Sequence, residues 1–181
     1  MDIESRAKNI KLLVLDVDGV LTDGQIVFGQ DGELMKNFHC HDGMGISIAH
    51  QAGLRTAIIT GRESRIVALR SSELKILDVY QGSMNKKDAF AALLDKYKLT
   101  AQEAAYVGDD LMDLPLMAQA GLACAVANAV PEVKRHAHFI ADRKGGQGAV
   151  REIVELLVKA QGKWEDIVDT YLQGGRSESR Q

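Results

Sequence analysis

Two aspartates, Asp16 and Asp18, stand two positions apart where the apolar run 12–15 ends, in "KLLVLDVDGVLTDG". Carboxylates at the exit of a buried segment are costly unless they are paired or bind a metal. Taken alone, Asp18 and Gly19 read equally well as an acidic turn. A calcium loop of the EF-hand type is excluded, because Val20 and Leu21 occupy the positions that need an oxygen ligand and a glycine. A second acidic cluster, Asp109, Asp110 and Asp113 in "AAYVGDDLMD", follows another apolar run. A helix start explains Asp110 as N-cap with Asp113 three residues on, and leaves Asp109 over.

Two further apolar runs end in polar residues. "AIITGR" delivers Thr60, Gly61 and Arg62, and "YQGSMNKKDAF" delivers Lys86. A threonine there is ordinarily a cap. Arg62 in the first turn of a helix opposes the helix dipole, and a bound anion would account for it. Lys86 carries the same mild conflict, while Lys87 reads as solvated. Together these exits present two carboxylates, a hydroxyl, a lysine and a third carboxylate, a complete set for phosphoryl transfer. A hard divalent cation takes carboxylate and phosphate oxygens. Thr60 and Lys86 hold the phosphoryl oxygens, one aspartate attacks, and another handles protons.

The elements that must position these groups alternate regularly. Apolar runs at 12–15, 56–59, 76–80, 104–107, 122–126 and 138–141 alternate with helical patterns near 45–53, 63–72, 86–97, 111–120 and 131–136. A further helix is predicted over 147–160, with Val150, Ile153, Val154 and Leu157 on one stripe. Strands apolar on both faces and separated by helices imply an α/β fold, a Rossmann-like three-layer parallel sheet. Right-handed crossovers then bring every strand's C-terminal end to one edge, where ligands bind. Residues 24–39 break the alternation and read as a β-hairpin around Gln30-Asp31-Gly32, inserted after the first strand. Trp164, Ile167, Val168, Tyr171 and Leu172 predict a C-terminal helix at about 163–173, and 174–181 reads as a disordered tail. Residues 1–173 are thus expected to form one domain.

Composition narrows the class. The chain has 181 residues, 46% hydrophobic and 26% charged, with a net charge of −3. This argues against a general nucleic-acid binder. Two cysteines, Cys40 and Cys124, form no CxxC pair and fit a reducing compartment. No secretory signal or membrane-spanning stretch is read, so a cytoplasmic protein with no membrane partner is expected.

Other residues attract chemistry less well. His39, Cys40 and His41 in "FHCHD" would share strand faces alternately, and a zinc site would need further ligands that the sequence does not supply. "GMGI" is too short for a dinucleotide fingerprint, and "KGGQG" lacks the ending of a P-loop. The latter's glycines read as a flexible lead-in to the last long helix. Cys124 reads as core, and His50, His136 and His138 have no nameable partner.

The order Asp-x-Asp-Gly-Val, Thr-Gly-Arg, Asn-Lys and Gly-Asp-Asp-x-x-Asp resembles the haloacid dehalogenase superfamily of phosphohydrolases over about residues 8–160. "LDVDGVLTDG", "DGMGI", "TGR", "NK", "AYVGDDLMDLP" and "KGGQGAVREI" resemble in particular its phosphatases of 3-deoxy-D-manno-octulosonate 8-phosphate, a lipopolysaccharide precursor. His41 stands where that pattern has an arginine. The resemblance implies Asp16 as nucleophile, forming an aspartyl-phosphate, and Asp18 as general acid and then base. It implies Mg²⁺ held by Asp16, the Asp18 carbonyl and Asp109, with Thr60 and Lys86 on the phosphoryl group.

Spacing between the motifs leaves no room for a cap domain. A homo-oligomer is therefore expected, a tetramer on the resemblance, in which hairpins pair and a neighbour roofs each site. The substrate's remote carboxylate favours arginine, making Arg62 and Arg70 candidates, with Lys144 as the alternative. Two other readings remain: a phosphatase of a nine-carbon sugar acid phosphate, and a receiver-type phospho-switch. A receiver needs a lone aspartate at the middle strand, where this chain has Thr60-Gly61-Arg62.

Overall fold

The computed structural model of the chain describes residues 2–174. Strand β1 (Leu12–Leu15) is buried along its whole length and lies inside a six-stranded parallel sheet. Its neighbours are β4 (Arg55–Ile59) on one side and β6 (Ala104–Gly108) on the other; β5 (Asp78–Tyr80) lies beyond β4. Beyond β6 follow β7 (Leu122–Ala125) and β8 (Phe139–Ile140). Every strand of this sheet is parallel to its neighbours, and Leu15 stands level with both Ile58 and Val107. The strand order therefore turns at β1, which is where open α/β sheets bind ligands.

Helices cover both faces, as strands buried on both sides require. On one face α1 (Ile3–Lys8), α2 (Cys40–Gln51), α7 (Ala149–Ala160) and α8 (Trp164–Leu172) pack together. On the other lie α4 (Lys86–Tyr97), α5 (Leu114–Met117) and α6 (Pro131–His136). The α7 stripe of Val150, Ile153, Val154 and Leu157 is fully buried, as its spacing demands. Gly45 lets α2 approach α7, since a Cβ there would sit 2.9 Å from the Arg151 Cα. Helix α3 (Arg65–Glu73) joins β4 to β5. The inserted hairpin is β2 (Val27–Gly29) and β3 (Gly32–Met35), which pair only with each other; a bridge between Thr22 and Phe38 closes its base.

Several expectations are corrected. His39–Cys40–His41 is not a strand: His39 caps α2, which begins at Cys40, and its Nδ1 accepts from the His41 amide at 3.2 Å. The reason is tertiary. Asp42, in the first turn of α2, accepts from the Gly148 and Arg151 amides at 3.1 and 2.9 Å, tying α2 to the start of α7. Arg62 lies outside α3, which starts at Arg65 after the Ser64 cap, so the inferred conflict with the helix dipole does not exist. The helix expected over 111–120 is a 3-10 turn, Leu111–Asp113, followed by α5, because the Asp113 side chain turns inward and Pro115 opens a new helix. Helix α1 was unforeseen; Asp2 caps it and Ala7 is its buried anchor.

The "KGGQG" glycines are not a loose lead-in. A Cβ on Gly145 would collide with the Gly19 carbonyl, and one on Gly146 with the Thr22–Asp23 backbone. Both positions are glycine because this loop lies directly on the loop that follows Asp16. Of the expected tail, residues 175–181 lie outside the described residues. Among the described residues no helix is long and apolar enough to cross a membrane.

Candidate active site

Strand β1 ends by delivering Asp16, whose amide donates to the Val107 carbonyl at 3.1 Å. The chain then coils around the Val17 carbonyl, which accepts from the Val20, Leu21 and Thr22 amides at 3.1, 2.9 and 3.0 Å. Gly19 adopts φ +88°, and a side chain there would collide with the Asp109 carboxylate. That glycine permits the loops after β1 and β6 to meet. The Asp18 carbonyl accepts no hydrogen bond from the described residues and remains available to a ligand.

Asp16, Asp109 and Asp113 converge, with one oxygen from each within 4.8 Å of the others. Burial, then repulsion from Asp113, pushes the Asp16 carboxyl up to about 6, against the pull of Lys86. Burial, then repulsion from Asp16, Asp113 and Asp110, pushes Asp109 up to about 7. Three crowded carboxylates are a poor arrangement in isolation, and they fit a hard divalent cation, which would relieve the crowding. Their remaining contacts separate their roles. Asp113 is saturated: Oδ1 accepts from Lys86 at 2.7 Å and from Tyr106 at 2.6 Å, and Oδ2 from the Asp109 and Asp110 amides at 2.8 and 3.2 Å. The Asp109 carboxylate accepts no hydrogen bond from the described residues. Asp16 and Asp109 therefore line the cleft as the residues that could hold such a cation, and Asp113 braces the cluster from beneath.

Lys86 is the first residue of α4, and its buried side chain reaches Asp16 Oδ1 at 3.1 Å as well as Asp113. Burial disfavours its charge, but Asp16 and Asp113 outweigh this and raise its pKa. Thr60, at the end of β4, is held by its backbone: its amide donates to the Tyr80 carbonyl and its carbonyl accepts from the Ser83 amide. Its hydroxyl makes no hydrogen bond within the described chain and opens onto the same cleft. Asp18 sits at the cleft mouth. Its Oδ1 accepts from Lys36 at 2.5 Å and its Oδ2 lies 3.8 Å from Arg62 Nε.

Asp16, Asp18, Thr60, Gly61, Arg62, Lys86 and Asp109 thus line one cleft of about 310 Å³ at the C-terminal edge of the sheet. Arg70 does not. It lines a separate small pocket with Phe38, Asp42 and Gly43, pairs with Glu73 at 2.8 Å, and leaves its Nε without a partner. Two site neighbours escaped the sequence reading. Tyr106 looked like strand core, and it is, but its hydroxyl touches Asp113. Lys36 looked like a polar strand residue, and no local signal marks it as buried.

A family model described as haloacid dehalogenase-like hydrolase matches residues 56–153. The chain is 47% identical to 3-deoxy-D-manno-octulosonate 8-phosphate phosphatase KdsC of Escherichia coli K12, over 91% of this chain and 88% of that protein. Its fold is similar to the crystal structure of the phosphatase of the same name from Yersinia pestis, with a TM-score of 0.89 and 44% identity, covering 91% of this chain and 89% of the other. The Moraxella catarrhalis phosphatase, solved in complex with magnesium, phosphate and KDO, is similar at a TM-score of 0.91 and 40% identity, covering 93% and 97%.

Proposed function

The chain belongs to the haloacid dehalogenase-like hydrolases, and we propose from its site that it is a Mg²⁺-dependent phosphatase of 3-deoxy-D-manno-octulosonate 8-phosphate. The products are the sugar acid, KDO, and inorganic phosphate, a step in making lipopolysaccharide precursor. The observation that carries the reading is the meeting of Asp16, Lys86 and Asp109 at the turning point of the sheet, with Asp18 and Thr60 in the same cleft. At 40–47% identity over nine-tenths of the chain, the substrate of the relatives applies here.

Mg²⁺, held by Asp16, the Asp18 carbonyl and Asp109, supplies positive charge that lets a carboxylate approach a phosphate dianion. Thr60 donates to one phosphoryl oxygen and Lys86 pairs with another. Asp16 attacks phosphorus, the bond to the sugar oxygen breaks, and Asp18 gives that oxygen its proton. Water then attacks the aspartyl-phosphate, giving its proton to Asp18, and the bond from phosphorus to the Asp16 oxygen breaks. Arg62, which lines the cleft, is the proposed donor to the carboxylate at the substrate's other end.

Residues 1–173 act as one hydrolase domain carrying the hairpin of 24–39. That hairpin exposes Phe28 and Leu34 at 64% and 62%, an apolar surface suited to pairing with further copies in a homotetramer. The enzyme is assigned to the cytoplasm, where a sugar phosphate substrate is made. Phosphate release from a panel of eight- and nine-carbon sugar acid phosphates, with and without Mg²⁺, tests the reading. Metal-dependent preference for the eight-carbon acid is expected. Preference for the nine-carbon acid, or no sustained turnover, would overturn it. Sedimentation showing an active monomer would refute the assembly.

A further inference from the structure

The end of the hairpin is inverted relative to its hydropathy. Leu34 and Met35 are exposed, whereas the side chain of the next residue, Lys36, is only 1% exposed. The strand is bulged there: β3 advances from Glu33 to Met35 while β2 advances from Phe28 to Val27. Bulges of this kind re-aim side chains. Burying an ammonium is costly unless it is paired. Lys36 is paired twice, to Asp18 Oδ1 at 2.5 Å and to Glu33 Oε1 at 2.9 Å. Glu33 is anchored in turn by the hydroxyl of Ser64, the cap of α3, just beyond Thr60-Gly61-Arg62. For stability alone an apolar cluster in place of all three charged residues would serve as well, because a buried ion pair is often no better than its hydrophobic replacement.

We propose that Lys36 is a positioning residue for Asp18. It holds the Asp18 carboxylate at the cleft mouth, out of the Asp16–Asp109–Asp113 group, facing the water that attacks phosphorylated Asp16. In that step the water oxygen bonds to phosphorus, its proton passes to Asp18, and the electron pair of the broken P–O bond returns to the Asp16 carboxylate. Glu33 and Ser64 make the position depend on the hairpin's seating. The proposal rests on Asp16 being the nucleophile.

Stopped-flow assay of 4-nitrophenyl phosphate with Mg²⁺ tests it, since nitrophenolate leaves without needing a proton. In Lys36→Met, steady turnover should fall at least about tenfold. Nitrophenolate should at the same time appear as a burst approaching one per active chain, because hydrolysis of the phosphoenzyme has become limiting. A structural role would lower turnover without that burst, and this result, or unchanged turnover, would overturn the proposal. Should Lys36→Met fail to fold by circular dichroism, Glu33→Ala, which frees Lys36 on its hairpin side, must show the burst instead. Asp16→Asn is the separate control. Turnover by that variant sinks the nucleophile assignment; an inert Asp16→Asn beside a burst-free Lys36→Met sinks only the role of Lys36.

Discussion

Lys86 lies closer to Asp113 than to Asp16: 2.7 Å separates its Nζ from Asp113 Oδ1, against 3.1 Å to Asp16 Oδ1. The lysine is thus held from behind and presented to the cleft. Asp113 also fixes the amides of Asp109 and Asp110, so one buried carboxylate sets both the Lys86 ammonium and the loop that carries Asp109.

Asp113→Ala should therefore be among the most damaging single changes in the chain. It leaves a buried ammonium half-paired and two amides without an acceptor. Losing one partner of a buried pair costs about 3–5 kcal/mol. For a chain of this size that is a melting temperature lower by roughly 6–20 °C, at about 2–4 °C per kcal/mol. Asp113→Asn should lose less, since its amide oxygen still accepts. Calorimetry of the two variants decides; equal melting temperatures to the parent would show that Asp113 braces nothing.

Asp16→Asn should abolish turnover while keeping or raising the melting temperature, because the amide cannot attack phosphorus and the crowding of carboxylates is eased. Asp18→Asn should turn over slowly and retain label from a phosphorus-labelled substrate on the protein. Full activity in folded Asp16→Asn would end this mechanism.

The raised carboxyls of Asp16 and Asp109 give a pH signature. Each holds its proton in the folded chain up to about 6 or 7, well above the ordinary value of 3.8. The folded state thus binds protons that the unfolded chain has already released, and metal-free stability falls as pH rises from about 4 to 7. A cation competes with those same protons. Added Mg²⁺ should raise the melting temperature little at pH 5 and by several degrees at pH 8. A shift independent of pH would remove these two residues from the metal site.

Arg62→Ala separates carboxylate recognition from phosphate chemistry. Loss of a charge-assisted hydrogen bond costs about 1.5–3 kcal/mol, or roughly ten- to a hundredfold in kcat/KM for the sugar acid phosphate. An aryl phosphate without a carboxylate should be nearly unaffected. Arg62 lines the cleft, whereas Arg70 packs over Gly43 and near the Phe38 ring. Arg70→Ala should lose activity equally on both substrates, as support for the fold, and equal losses in Arg62→Ala would mean that the carboxylate is read elsewhere, for instance by Lys144.

The residue types at the strand exits, and the order in which they arrive, were legible before any fold was drawn. Asp16, Thr60, Lys86 and Asp109 each close or follow an apolar run, and right-handed connections leave such ends only one edge to occupy. The hairpin, the α7 stripe and the C-terminal helix were legible for the same reason, since their spacing is local. What the tertiary structure decided is which polar groups face one another across long stretches of chain. Lys36 meets Asp18 over 18 residues, Lys86 meets Asp113 over 27, and Asp42 meets Arg151 over 109. None of these leaves a periodic trace, because a single buried contact has no period. Gly145 looked like slack until the Gly19 carbonyl proved to fill the space a Cβ would need. Periodicity records which face of an element turns inward; only the packed chain settles what each inward polar group meets there, because burying a polar group is costly unless it finds a partner.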